Sequence, residues 1–164
     1  MTNLPTHKKI GILGGGQLAR MLCQQGQKIG LQVHVLSDSK SDPAALVTPF
    51  WHKGKIDNKK TVSAFCKKMD LVTFESEFAN TQIMPKLKNK FYPSVKNISL
   101  LQDRLTQKKS LLNSKLPTSA FIHPRSHSDV KAFFNAHGAF VAKKRMFGYD
   151  GYGTFIVRDK KAMV

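Results

Sequence analysis

Residues 10–21, Ile-Gly-Ile-Leu-Gly-Gly-Gly-Gln-Leu-Ala-Arg-Met, join a short apolar run to a helix-spaced pattern through three consecutive glycines. A strand that ends in glycine and turns directly into a helix opens a βαβ unit, and its turn lies at the carboxyl end of the strand, where open α/β sheets bind ligands. Ile10, Ile12 and Leu13 supply the strand, and Leu18, Met21, Leu22 and Gln25 recur at helical spacing. The amides of Gly16, Gln17 and Leu18 then begin a helix without internal partners, and with the helix dipole they favour an anion. Gly14 to Ala19 also fits G-x-G-x-x-A, the dinucleotide fingerprint. Taken alone, that match leaves the kind of phosphate open.

The same rhythm continues, which predicts an α/β fold with a parallel sheet. A strand at 9–13 leads to a helix at 17–29, ended by Gly30, and then to a strand at 31–36. Ser37 to Pro43 is a turn-rich loop at a strand's carboxyl end. A helix over 58–68, with Val62, Phe65 and Cys66 inward, precedes a strand at 71–74, and the sheet is expected to end around Phe91-Tyr92-Pro93. The spacing of Ile98, Leu101, Leu105, Leu111 and Leu112 predicts one helix over 97–114 with Asn97 as its cap. Beyond Leu116-Pro117-Thr118 the pattern gives a strand at 119–122, a helix at 127–136, and two strands at 140–143 and 154–157 that bracket a glycine-rich hairpin at 146–153. Residues 159–164 look like the start of a helix. The expectation is a Rossmann-like domain over 1–98 and an incomplete second domain over 99–164.

Composition excludes several classes. No apolar run reaches the length of a membrane span, and the first residues lack the apolar core of a signal peptide, so a cytoplasmic location is expected. The net charge of +17 invites a nucleic-acid reading. Residues 1–82 hold 11 basic and 6 acidic side chains, a net of +5, and residues 83–164 hold 16 and 4, a net of +12. Lysines such as Lys86, Lys88, Lys90, Lys96, Lys108, Lys109 and Lys115 have no aromatics interleaved on one face, which reads as a solvated surface. Cys23 and Cys66 belong to no Cys/His cluster and are expected to be reduced and half-buried. The six histidines show no metal-ligand spacing and are read as structural or exposed.

Three places carry candidate chemistry. Glu75 and Glu77, the only glutamates, follow a buried strand two residues apart and so can share a face over the edge where the glycine turn opens. That placement suits recognition of a hydroxyl or amine; a pair of solvated loop carboxylates is the alternative. Phe147-Gly148-Tyr149-Asp150-Gly151-Tyr152-Gly153, preceded by Lys143-Lys144-Arg145, has the glycines to close over phosphates with backbone N–H groups and a neighbouring lysine for charge. It is not a Walker A loop, because no Gly-Lys-Ser/Thr follows. Arg104 lies on the mostly polar side of its predicted helix, and the residues around it leave its role open.

Together, Gly11 to Leu22, Val72-Thr73-Phe74-Glu75-Ser76-Glu77, Asp103-Arg104-Leu105-Thr106-Gln107-Lys108, Leu116-Pro117-Thr118 and Gly148 to Gly153 resemble the N5-carboxyaminoimidazole ribonucleotide synthetase family, ATP-grasp ligases of purine biosynthesis. The matches are collinear along nearly the whole chain but cover the family's amino-terminal portion only. The resemblance implies a pre-ATP-grasp domain followed by the truncated start of an ATP-grasp domain. It implies ATP-dependent carboxylation of 5-aminoimidazole ribonucleotide by bicarbonate through carboxyphosphate, and it allows a homodimer. It assigns Arg104, Lys143, Gly148, Tyr149, Asp150, Gly151, Tyr152, Gly153 and Thr154 to ATP. Gly16, Gln17, Leu18, Glu75, Tyr149 and Asp150 are assigned to the ribonucleotide. Phe147, Tyr152 and Thr154 depart from the family's loop pattern, which implies a weaker or redistributed phosphate grip. The Mg2+ ligands are expected beyond Val164, so this chain alone is expected not to turn over; ATP- and substrate-dependent ADP release by purified 1–164 would contradict that. Two rivals stand beside this resemblance. One is an NAD-dependent oxidoreductase using Asp38 on a ribose, and the other is a basic nucleic-acid-binding module.

Overall fold

A computed structural model describes residues 8–75, 78–87, 89–146, 148 and 152–159. The chain forms two compact units, Met1–Ser99 and Leu100–Val164. In the first, β1 (Lys9–Leu13), β2 (Gln32–Ser37), β3 (Trp51–Lys53) and β4 (Leu71–Phe74) make a parallel sheet in the order β3-β2-β1-β4. Gly11 pairs with His34 on one side and Val72 on the other, so the strand that feeds the glycine turn is central. Val72 also bridges Phe91 in parallel, where the expected sheet end lies.

Helices α1 (Gln17–Lys28) and α2 (Lys59–Lys67) pack on separate cores. Alternate residues of the strands point to opposite faces. Ile12, Val33 and Val35 meet Ala19 and Cys23 of α1, whereas Leu13, Leu36, Val72 and Phe74 meet Val62, Phe65 and Cys66 of α2. Strand β3 was not anticipated, because Trp51-His52-Lys53 is too short to show alternation.

The buried side of α1 is not the one its larger apolar residues mark. Its helical spacing is real, but Leu18, Met21 and Leu22 face solvent, and the helix turns the small residues Ala19, Cys23 and Gly26 to the sheet. The reason is close approach: a Cβ on Gly26 would come within 2.5 Å of Val33 Cγ2. Both cysteines are fully buried rather than half-buried, and burial pushes each thiol up to about 11, which keeps them inert.

The second unit holds α4 (Arg104–Asn113), α5 (His127–His137) and an antiparallel pair, β5 (Phe140–Lys143) and β6 (Thr154–Val157). The expected helix over 97–114 is two helices, α3 (Val95–Gln102) and α4, broken at Asp103. The Asp103 carboxylate accepts the Leu105 and Thr106 N–H groups and starts a new helix there. Asn97 is likewise no cap: it lies inside α3 and donates its N–H to the Ser94 hydroxyl. The expected strand at 119–122 is absent. Lys108 Nζ instead ties that segment to α4 through Thr118 Oγ1 at 2.7 Å and Ser119 Oγ at 2.6 Å. A Ser126–Asp129 capping box opens α5 and Gly138, at φ +73°, closes it. No helix among the described residues is long and apolar enough to cross a membrane.

Candidate functional site

The glycine turn is shaped by what leaves no room for side chains. Gly14 has φ +112°, a region that favours glycine, and its N–H donates to Leu36 O. A Cβ on Gly15 would stand 2.6 Å from Ser37 Cβ and 2.9 Å from Asp42 Cβ, so the loop after β2 closes directly on the turn. Gly15 O accepts the Ala44 N–H at 2.9 Å and fixes that closure.

Above the turn lies Glu75. Its backbone N–H donates to Leu13 O, continuing the β1–β4 ladder one residue past β4, and its carboxylate sits so close that a Cβ on Gly14 or Gly16 would collide with it. No side chain caps α1 at Gly16. The turn therefore presents uncapped helix N–H groups beside a carboxylate. A bare phosphate there would meet a like charge, whereas a hydroxyl or amine could donate to Glu75 while a carbonyl or ring nitrogen accepts from the backbone. Gln17 and Leu18 are exposed at the mouth of this turn, with Gly16 half-buried below them. Asp38 is exposed in the loop after β2. Glu77 lies outside the described residues.

In the second unit, β5 and β6 pair Lys143 with Thr154 at the base of the glycine hairpin. The Lys144 N–H donates to Gly153 O at 2.7 Å, and Gly153 takes φ +71° against the Lys144 stem. Gly148 is buried. Arg104 is the first residue of α4, and its Nη2 donates to Gly148 O at 2.7 Å, so helix and hairpin converge on one arginine. Lys143 is exposed at the end of β5. Tyr152 and Thr154 lie on the returning arm. Phe147, Tyr149, Asp150 and Gly151 lie outside the described residues, as does the segment 160–164.

Two residues with no assigned part in the sequence reading join this hairpin root. Arg145 donates Nε to Asp103 Oδ1 at 2.7 Å and Nη2 to Oδ2 at 2.5 Å, a fork on a carboxylate that also caps α4. Arg145 O accepts the Arg104 N–H at 3.0 Å. The Arg145 guanidinium, helped by the Thr106 hydroxyl and the capped N–H groups, holds the Asp103 carboxyl well below the usual carboxylate range. An aspartate one residue ahead of a helix start is a capping signal that could have revealed the break. Among the described residues no group of three or more His, Cys, Asp or Glu could hold a metal ion.

Residues 7–102 match the model of the ribonucleotide synthetase preATP-grasp domain. The N5-carboxyaminoimidazole ribonucleotide synthase of Staphylococcus aureus (strain COL) is 35% identical over 155 residues, covering 93% of this chain and 41% of that protein. The crystal structure of the S. aureus N5-carboxyaminoimidazole synthetase complexed with ADP is similar at a TM-score of 0.86 and 33% identity, over 95% of this chain and 43% of that one. The Aspergillus clavatus carboxyaminoimidazole ribonucleotide synthase complexed with ATP is similar at a TM-score of 0.83 and 26% identity, over 96% and 43%. The chain thus spans about two fifths of the length of the relatives it matches.

Proposed function

This chain belongs to the family of the ribonucleotide synthetase preATP-grasp domain, and on that premise we propose that it serves ATP-dependent carboxylation of 5-aminoimidazole ribonucleotide. The observation that carries this reading is the Glu75 carboxylate lying over the uncapped glycine turn, in a chain 35% identical to an N5-carboxyaminoimidazole ribonucleotide synthase. A dinucleotide pyrophosphate needs that turn free of negative charge, so the same carboxylate disfavours the NAD reading.

In this reading the first unit binds the ribonucleotide. Gly16, Gln17 and Leu18 offer backbone N–H groups, and Glu75 accepts from a hydroxyl or from the exocyclic amine, with Tyr149 and Asp150 assigned to the same substrate by resemblance. In the second unit Arg104 and Lys143 supply positive charge for nucleotide phosphates, and residues 148–154 supply backbone donors. The fit rests on the cationic strand end and on the Gly148 carbonyl, which accepts from Arg104. ATP supplies the phosphoryl group that activates bicarbonate. The amine nitrogen then attacks the carboxyl carbon of carboxyphosphate, a C–N bond forms as the C–O bond to phosphate breaks, and the amine loses a proton. Exclusion of water by the hairpin protects the carboxyphosphate from hydrolysis. Any Mg2+ needed for the phosphoryl transfer would require ligands other than a cluster among the described residues.

Calorimetric titration of the chain with 5-aminoimidazole ribonucleotide tests the first half of this reading. Binding is expected, with Glu75→Gln weakening it at least about tenfold, roughly 1.4 kcal/mol, and NAD is expected not to bind. Equal affinity in wild type and Glu75→Gln, or NAD binding that Glu75→Gln improves, would overturn it.

A further inference from the structure

Four cations, Arg104, Lys143, Lys144 and Arg145, lie at the root of the second unit's hairpin, and Arg145 is paired with the Asp103 carboxylate. An exposed ion pair is ordinarily worth little, because both partners are free to move and water competes. This pair differs on the first count. The Asp103 side chain is 16% exposed and immobilised by the Leu105 and Thr106 N–H groups and the Thr106 hydroxyl, so Arg145 docks on a fixed acceptor. Both carboxylate oxygens are engaged by a guanidinium whose planar fork sets orientation as well as distance.

The consequence is geometric. Residue 145 is held at its side chain by Asp103 and at its carbonyl by the Arg104 N–H, so the strand end after β5 is registered against the first turn of α4 at two points. Arg104 then reaches Gly148 O from that same turn. Removal of the fork leaves the strand end with one backbone hydrogen bond to α4 and frees Arg104 and Lys143 to drift apart.

We infer that the Arg145–Asp103 fork is a positioning device for nucleotide binding, setting the distance between Arg104 and Lys143 so that both reach one ligand's phosphates. Arg145 is thus a positioning residue that acts through Asp103 and the α4 start. This rests on the nucleotide half of the function proposed above.

The test titrates ADP into the wild-type chain and into Arg145→Lys, Arg145→Gln and Asp103→Asn, well below their melting temperatures, and follows amide hydrogen exchange at Arg104 and Lys144. Arg145→Lys keeps the charge and loses the fork. It is expected to weaken ADP about tenfold and to speed exchange at both amides while the melting temperature holds. Arg145→Gln and Asp103→Asn are expected to weaken ADP at least as much. Wild-type affinity in Arg145→Lys means that charge alone matters and overturns the inference while leaving the nucleotide reading intact. A lowered melting temperature with unchanged ADP affinity assigns the fork to stability only and also overturns it. Failure of the wild-type chain to bind ADP overturns the nucleotide reading and the inference with it.

Discussion

The two glycine-rich sites of this chain are built by opposite means. The turn at Gly14 to Gly16 is hemmed in by backbone-fixed atoms of Ser37 and Asp42 and by the Glu75 side chain, and it hangs from the central strand of a sheet covered on both faces. The hairpin root at Lys143, Lys144 and Gly153 belongs to a unit where Val157 is the buried apolar side chain among the described residues, and its geometry is set by charged and capping contacts. Packing holds the first site and directional polar bonds hold the second. A site held by packing tolerates no added volume, whereas one held by polar bonds tolerates volume but not loss of a partner.

One extra methyl at each site tests that difference most strongly. Gly15→Ala drives a Cβ to 2.6 Å from Ser37 Cβ, which cannot retreat without moving β2, and is expected to cost roughly 2–3 kcal/mol. Gly153→Ala meets Lys144 Cγ and Cδ at 2.6 Å, which a rotamer change can move, and Lys144 Cβ at 3.0 Å, and it adds the strain of a φ of +71°, about 1–2 kcal/mol. Trp51, the lone tryptophan, donates Nε1 to Ser37 Oγ in the first unit, so the denaturant midpoint of its fluorescence should fall for Gly15→Ala and hold for Gly153→Ala. A larger loss in Gly153→Ala than in Gly15→Ala would break the comparison.

Asp103→Ala sharpens the other side of it. The substitution removes the α4 cap and the seat of the Arg145 fork together, an expected loss of about 1–2 kcal/mol. Because the folded state holds the Asp103 pKa well below its ordinary value, its contribution is present above the usual carboxylate range near pH 4 and is lost as pH falls through and below that range. The gap between wild type and Asp103→Ala in urea melts followed by circular dichroism should therefore hold from pH 8 to pH 5 and narrow progressively as pH falls below about 4. A gap that persists undiminished at about pH 2 would mean the carboxylate charge is not what joins helix and hairpin.

How far each site could be read from sequence follows from the same division. The sheet and the glycine turn were legible, because strand alternation and a glycine run are local signals that the core then enforces. The inward face of α1 was not. Leu18, Met21 and Leu22 outrank Ala19, Cys23 and Gly26 in hydrophobicity, and only the close approach of Val33 explains why the small residues win. The paired strands β5 and β6 were found at the bounds observed, whereas the break at Asp103 was hidden under a leucine spacing that runs through it. Arg145 stood out only as one basic residue among three, since its partner is 42 positions away in sequence. Long-range polar pairs leave no periodic trace.

The smallest expected effect belongs to the partly buried histidine pair inside the packed unit, where the two construction principles meet. His34 Nδ1 and His52 Nε2 lie 2.9 Å apart, His34 stacks on Phe50 at 4.6 Å, and His34 Nε2 is buried with no hydrogen-bond partner. If His34 Nδ1 carries the proton, the unpartnered nitrogen is a bare acceptor; the reverse arrangement would bury an unpaired N–H, which costs more. Burial lowers the proton affinity of both rings, and the neighbouring imidazole and Lys9 lower His34 further, as Lys68 does His52. The unfolded chain therefore takes up protons first as pH falls below about 6.5, so the stability this pair permits is present above that pH and declines beneath it. The Trp51-reported midpoint is expected to fall between pH 7.5 and pH 5.5 by less than Gly15→Ala lowers it. His34→Phe, which keeps the stacking with Phe50 and removes one imidazole and its unpartnered nitrogen, should flatten that slope. An unchanged slope in His34→Phe would show that the acid sensitivity arises elsewhere and that this unit rests on packing alone.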